Sequence, residues 1–191
     1  MHQLRPIRGE RRQVLRQLRD AGRRRLTVPA IAFVGRHNSG KTTFLLALLP
    51  QLRDRGLRVG YLKHAHAGFE IDRPAKDSYR VRRSGVVQTI ITGGGQTAVI
   101  DDHGAEEDFA RVVERYVRAD LDLLVVEGFK RELLPKIEVA RSELSTELIC
   151  AGDPRLLAVV ADFVPPGAPR HFAPSDASGV ATFVVSAVLS R

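Results

Sequence analysis

A single cysteine, Cys150, stands in 191 residues, which excludes an internal disulfide and any cysteine-built metal cluster. That usage agrees with a reducing cytosol. No apolar stretch approaches the ~20 residues that span a bilayer. The N-terminus has no apolar core of the kind a secretory signal carries, and a cytoplasmic location is expected. Internal repeats are missing too. Acidic residues are scarce at one end only: residues 1–25 hold nine arginines against Glu10 and Asp20, so this arm carries +7 of the formal +8 and leaves +1 for the rest. The basic character therefore belongs to an extension, residues 1–27, and not to the body, residues 28–191.

The extension reads in three ways. Leu4, Ile7, Val14, Leu15 and Leu18 recur at roughly helical spacing, which suits a basic amphipathic helix. Arg-rich leaders also resemble organelle transit peptides, against which Glu10 and Asp20 count. The third reading is a solvated extension. Nucleic acid enters as a partner only through this arm.

The body opens on a stronger signal. Gly35-Arg36-His37-Asn38-Ser39-Gly40-Lys41-Thr42-Thr43 fits the phosphate-binding pattern G-x-x-x-x-G-K-[ST]. An apolar run, Val28–Val34, precedes it as a buried strand would, and Phe44–Leu49 follows it as a helix would. The chemistry needs this context, because an anion docks where backbone N–H groups converge at a helix start. Gly35 and Gly40 let the loop curl, and Lys41 can meet the β- and γ-phosphates. The Thr42 hydroxyl can ligand Mg²⁺, and Thr43 can reach the α-phosphate. Nucleoside triphosphate binding is the expectation.

Downstream, the first helix is expected over 41–55, with Pro50 kinking or dividing it and Gly56 ending it. Strands are expected at 57–63, 86–92, 97–100, 121–126, 156–162 and 181–186, with helices from about Lys76 and over 106–118. Gly93-Gly94-Gly95 reads as a turn and the Pro-rich stretch 165–174 as a loop. Alternating helices and apolar strands imply an α/β, doubly wound, mostly parallel sheet of P-loop NTPase type. Helices cover both faces, and a small antiparallel strand pair is added.

In such sheets the site lies at the carboxyl ends of the strands. Lys63, Glu127 and Asp162 each end an expected strand there. Glu127 is the best carboxylate to hold Mg²⁺ or its water opposite Thr42, and Asp162 is a candidate for reading guanine. The polyionic segment 64–83 sits where many phosphate-loop proteins keep a switch. In it Asp72 and Asp77 are candidate metal or water ligands, and Lys76, Arg80, Arg82 and Arg83 could meet phosphate. His64 and His66 lack an evident third ligand. No water-positioning Gln stands in this segment, so hydrolysis should be slow.

Together these landmarks resemble the MobB family, the molybdopterin-guanine dinucleotide biosynthesis adaptor proteins. The resemblance runs from about Ile31 to Asp162. It rests on the phosphate loop, Lys63-His64-x-His66-x-x-Phe69-x-x-Asp72, Lys76-Asp77-Ser78, Glu127-Gly128-Phe129-Lys130, and Pro135-Lys136-Ile137-Glu138-Val139-x-Arg141. It implies a GTP-binding, Mg²⁺-dependent homodimer with weak GTPase activity. Its implied partners are the MobA-type guanylyltransferase that joins GMP to molybdopterin and a molybdopterin-bearing protein. On that reading the loop, Gly35 to Thr43, binds phosphate and metal, with Lys41 as countercharge. Asp72 and Glu127 support the metal, and Lys136 and Arg141 lie near the nucleotide or the dimer contact. The arginine arm departs from the family, whose members usually begin near the first strand. Arg36 holds the second loop position and is a candidate for acting in trans on transition-state charge. A kinase remains the alternative, with Arg80-x-Arg82-Arg83 as a phosphate-clamping lid and Asp72 or Asp77 as base.

Overall fold

The computed structural model describes residues 28–65, 68–74, 76–105 and 107–189; the arm 1–25, its extension to 27, and His66 lie outside them. Eight strands form: β1 Ala30–Val34, β2 Val59–Lys63, β3 Gln88–Gly93, β4 Gln96–Asp101, β5 Leu123–Glu127, β6 Lys136–Ala140, β7 Leu156–Ala161 and β8 His171–Phe172. The helices are α1 Lys41–Arg53, α2 Asp77–Arg82, α3 Phe109–Tyr116 and α4 Ala177–Val184, the last extended by a π-helical turn, Val185–Leu189.

Six strands make one sheet in the order β2-β5-β1-β6-β7-β8, every pairing parallel. Side chains alternate across it. Ile31 and Phe33 of β1 enter a core with Phe44, Leu45, Leu48 and Leu52 of α1 and Val180, Ala181 and Val184 of α4. Ala30, Ala32 and Val34 face the other way, toward Phe109 and Val113 of α3. Two-sided burial is why β1 and β5 read as unbroken apolar runs. β3 and β4 form a separate antiparallel hairpin around Gly94 and Gly95, both with positive φ, as a two-residue turn between right-twisted strands requires.

Two expectations are corrected, one is narrowed, and one strand is added. Helix α1 runs through Pro50 undivided to Arg53. Residues 181–186 belong to α4 and the turn after it, not to a strand. Asp176 caps the helix by accepting from Gly179 N at 2.9 Å, and the small and branched residues 177, 180, 181 and 184 bury one face against α1. Packing there overrides the strand preference of a β-branched run. The expected loop 165–174 contains the edge strand β8, whose Phe172 is buried. The central strand β6 was not anticipated, because Lys136 and Glu138 interrupt its apolar residues. Both are 1% exposed.

Candidate functional site

The loop between β1 and α1 takes its shape from two glycines. A Cβ at Gly35 would strike the Val139 carbonyl of β6, so the loop can lie flat on that strand only as glycine. Gly40, at φ 84, forms the left-handed cap from which α1 starts, and its carbonyl accepts the first helical bond from Phe44 N at 2.8 Å. Between them His37 and Asn38 stand exposed, Asn38 at φ 59, and Ser39 is buried. The Lys41 ammonium crosses back over the loop and donates to Gly35 O at 3.0 Å and Arg36 O at 2.6 Å. Burial lowers its pKa, and Lys63 adds to that while Glu127 opposes it. Thr43 is exposed on the first turn of α1.

Glu127 anchors the opposite wall. It ends β5, in register with Phe33 of β1 and Lys63 of β2. Thr42 Oγ1 donates to Glu127 Oε1 at 3.2 Å, Tyr61 OH to Oε2 at 2.5 Å, and Lys63 Nζ lies 3.3 Å from Oε1. Burial pushes the Glu127 carboxyl up, but the bonds from Tyr61, Lys63 and Thr42 prevail and hold it below the usual carboxylate range. The Tyr61 phenol is in turn raised, by burial first and then by Glu127. The sequence reading missed Tyr61. Its signal was the strand period of two, which puts residues 61 and 63 on one face of β2.

Hydroxyl and carboxylate oxygens are the hard donors Mg²⁺ prefers, and this ion usually takes only one or two protein ligands beside phosphate and water. Thr42 and Glu127 fit that requirement. Among the described residues no group of three His, Cys, Asp or Glu side chains could hold a metal by itself. Asp72 stands apart in the hydrogen-bond pattern. Its Oδ1 accepts from Arg73 N at 2.9 Å, while Oδ2 is buried without a hydrogen-bond partner among the described residues.

The other wall lies beyond β6. Arg141, just after that strand, places its guanidinium Nε 3.3 Å from where a Gly40 Cβ would be, roofing the loop with a second cation. Arg36 bends toward the same segment, 3.4 Å from Ser145 Oγ and from Glu147 O. Asp162, just after β7, accepts from Ser142 N at 2.8 Å and Ser142 Oγ at 2.9 Å, and these bonds lower its pKa. Beneath them Glu138 takes Ile149 N at 2.8 Å and Cys150 N at 2.9 Å, fixing the far end of the 141–150 loop. Burial nonetheless raises the Glu138 carboxyl above its ordinary range. Lys136 is not part of this wall. It is buried, donates to Lys130 O at 2.9 Å and Glu132 O at 3.2 Å, and pairs with Asp153 at 2.8 Å. Its role is to close the 130–132 turn.

The switch-like segment is only partly drawn together. His64 stacks on Phe129 with ring centroids 4.6 Å apart. Asp77 and Arg80 form an exposed pair at 3.8 Å on α2.

Comparison with known proteins converges on one group. Residues 30–162 match the family described as molybdopterin guanine dinucleotide synthesis protein B. The chain is 40% identical over 116 residues to the molybdopterin-guanine dinucleotide biosynthesis adapter protein of Escherichia coli, covering 60% of this chain and 66% of that protein. It is 34% identical over 121 residues to the Haemophilus influenzae adapter protein, covering 63% and 68%. A crystal structure of molybdopterin-guanine biosynthesis protein B superposes with a TM-score of 0.68 at 31% identity, over 82% of this chain and 98% of that one. Bacillus subtilis MobB gives 0.64 at 26% identity, over 84% and 98%.

Proposed function

Because the chain belongs to the molybdopterin guanine dinucleotide synthesis protein B family, we propose that it is a GTP-binding accessory protein with weak GTPase activity that serves molybdopterin guanine dinucleotide assembly. The observation that carries this reading is the Thr42–Glu127 contact at 3.2 Å beside Lys41. One hydroxyl, one ionised carboxylate and one ammonium thereby meet at the start of a helix.

In this reading the triphosphate lies on the loop amides of residues 35–43. The Lys41 ammonium exchanges the Gly35 and Arg36 carbonyls for phosphate oxygens, a charge-assisted bond in place of neutral ones. Thr42 and Glu127 would hold Mg²⁺, which would supply positive charge against the phosphates. Tyr61 and Lys63 keep Glu127 ionised and oriented. Arg141 adds positive charge over the loop, and Arg36 would turn from Ser145 toward phosphate, its own or a partner's. Asp72, whose Oδ2 has no hydrogen-bond partner among the described residues, would be the candidate to hold a water of that ion. None of these groups is a strong base, which suits slow turnover and a protein whose output is an assembled complex.

Guanine is the preferred base because Asp162 follows β7, on the side of β1 away from Glu127. A carboxylate has about four acceptor positions, and Ser142 uses two. The others suit guanine N1 and its exocyclic amine. The protein should act in the cytoplasm, beside a guanylyltransferase.

A second copy is the expected companion. Ile90 and Val99 face each other across the hairpin, 59% and 43% exposed. An isolated two-stranded hairpin is at best marginally stable in water, so pairing with another protomer would bury this apolar pair.

Melting the protein with GTP, GDP, ATP or ADP at fixed Mg²⁺ tests the nucleotide reading. Ligand at a hundred times its Kd stabilises by about 2.7 kcal/mol. GTP should raise the midpoint more than ATP, and Asp162→Asn should narrow that difference. Equal shifts by GTP and ATP, or none, would defeat the reading.

A further inference from the structure

Of the run Arg80-x-Arg82-Arg83, Arg82 and Arg83 shape a second concavity, away from the phosphate loop. Helix α2 ends at Arg82, and a turn closed by Ser84 N to Val81 O at 3.0 Å and Gly85 N to Arg82 O at 3.3 Å leads into the hairpin. The turn, the start of the hairpin and Asp102 line an open depression of about 330 Å³ formed by Arg82, Arg83, Gly85, Val86, Val87 and Asp102. That lies at the small end of the range for small-molecule sites. Asp102 N donates to Val87 O at 2.9 Å and fixes the far wall.

The charges are unequal. Arg82, 22% exposed, is held by Asp102 at 3.3 Å. Arg83 is exposed and has no ion pair among the described residues, so the depression keeps one uncompensated guanidinium beside an anchored one. Two guanidinium groups favour an oxyanion with several acceptor oxygens. Val86 and Val87, 38% and 74% exposed, offer an apolar wall that a bare inorganic ion would not use.

We propose that this depression between α2 and the β3–β4 hairpin is a second ligand site, taking a small phosphate monoester whose phosphate meets Arg83 and Arg82 and whose compact apolar body rests on Val86 and Val87. The site is separate from the phosphate loop, so an accessory protein could hold a nucleotide and a second phosphorylated compound at once. The proposal stands on the depression alone and does not depend on which nucleotide the loop prefers.

Phenyl phosphate is a suitable probe, titrated by ligand-observed NMR into the full-length protein presaturated with GDP and Mg²⁺ so that the loop is occupied. A ligand of this size at ordinary efficiency should bind with a Kd of about 1 mM. Arg83→Ala should weaken binding about tenfold, the expected effect of one charge-assisted contact. Asp102→Asn should tighten it by removing the competing carboxylate, an effect opposite to general damage. Inorganic phosphate should bind more weakly than phenyl phosphate. Nucleotide-induced stabilisation of Arg83→Ala should match that of the native chain, which separates this site from the phosphate loop. Absence of binding, an affinity indifferent to both substitutions, or equal binding of inorganic phosphate would overturn the proposal.

Discussion

The phosphate loop and the β3–β4 hairpin are two parts of one chain with opposite degrees of completion. At the loop, Lys41, Thr42, Tyr61, Lys63 and Glu127 all find partners within their own chain, and strands β1, β5 and β6 are buried on both faces. On the hairpin, Ile90 and Val99 are 59% and 43% exposed. A long central helix and a parallel sheet can preorganise an anion site without outside help. A lone pair of strands lacks a covering layer, and its apolar side chains mark where association supplies one. On the proposed reading the nucleotide site is built within the protomer, and the exposed hairpin is what a second copy would cover.

The sharpest way to break this contrast is Lys41→Ala. Losing a multiply bonded ammonium should weaken GTP about 100-fold in calorimetric titration, since bonds to charged groups contribute roughly 1.5–3 kcal/mol each. The fold and the oligomeric state should survive. An unchanged affinity would show that the loop is not the nucleotide site.

Glu138→Ala comes next. It leaves the part-buried Ile149 and the buried Cys150 N–H groups without their acceptor, so unfolding in denaturant should register a loss of about 2 kcal/mol. Unaltered stability would mean that the 141–150 loop is held by other contacts.

Ile90→Asp should convert a dimer to a monomer in analytical ultracentrifugation. Intrinsic stability should move by only about 0.5 kcal/mol, because the side chain is already solvated. A dimer that persists would place the association surface elsewhere.

The smallest effect concerns pH. The folded Glu127 carboxyl lies below its ordinary 4.5, so its contribution is full above that value and is lost as pH falls through the lower folded one. Glu127→Gln lacks this term, so its melting midpoint should fall less than the native one between about pH 6 and pH 3. Parallel declines would contradict the ionised, multiply bonded carboxylate.

Legibility followed the range of the interactions. Gly35 to Thr43 could be read because nine consecutive residues carry the whole device. Glu127 could be read because it closes an apolar run, and Asp162 likewise. Arg141 was named only through resemblance. Its position over Gly40 depends on β6 lying next to β1, a contact between residues about a hundred positions apart. Strand β6 was hidden because buried Lys136 and Glu138 break its hydrophobic pattern, and their burial is tolerable only with the partners that the 130–132 and 149–150 turns supply. Residues 181–186 were misread in the opposite direction. Asp176 before a short small-residue run was a capping signal, but valines and a threonine outweighed it until α1 was there to pack against.

The amino-acid order by itself determined the phosphate loop, the alternation of strands and helices, and the carboxylates at the strand ends, because each depends on neighbours in the chain and on local backbone preference. Tertiary structure alone decided that charged β6 is central, that Tyr61 and Lys63 converge on Glu127, that Arg141 roofs the loop, and that Arg82 and Arg83 line a second concavity. Those arrangements arise from strand order and burial, which join residues that no sequence spacing connects.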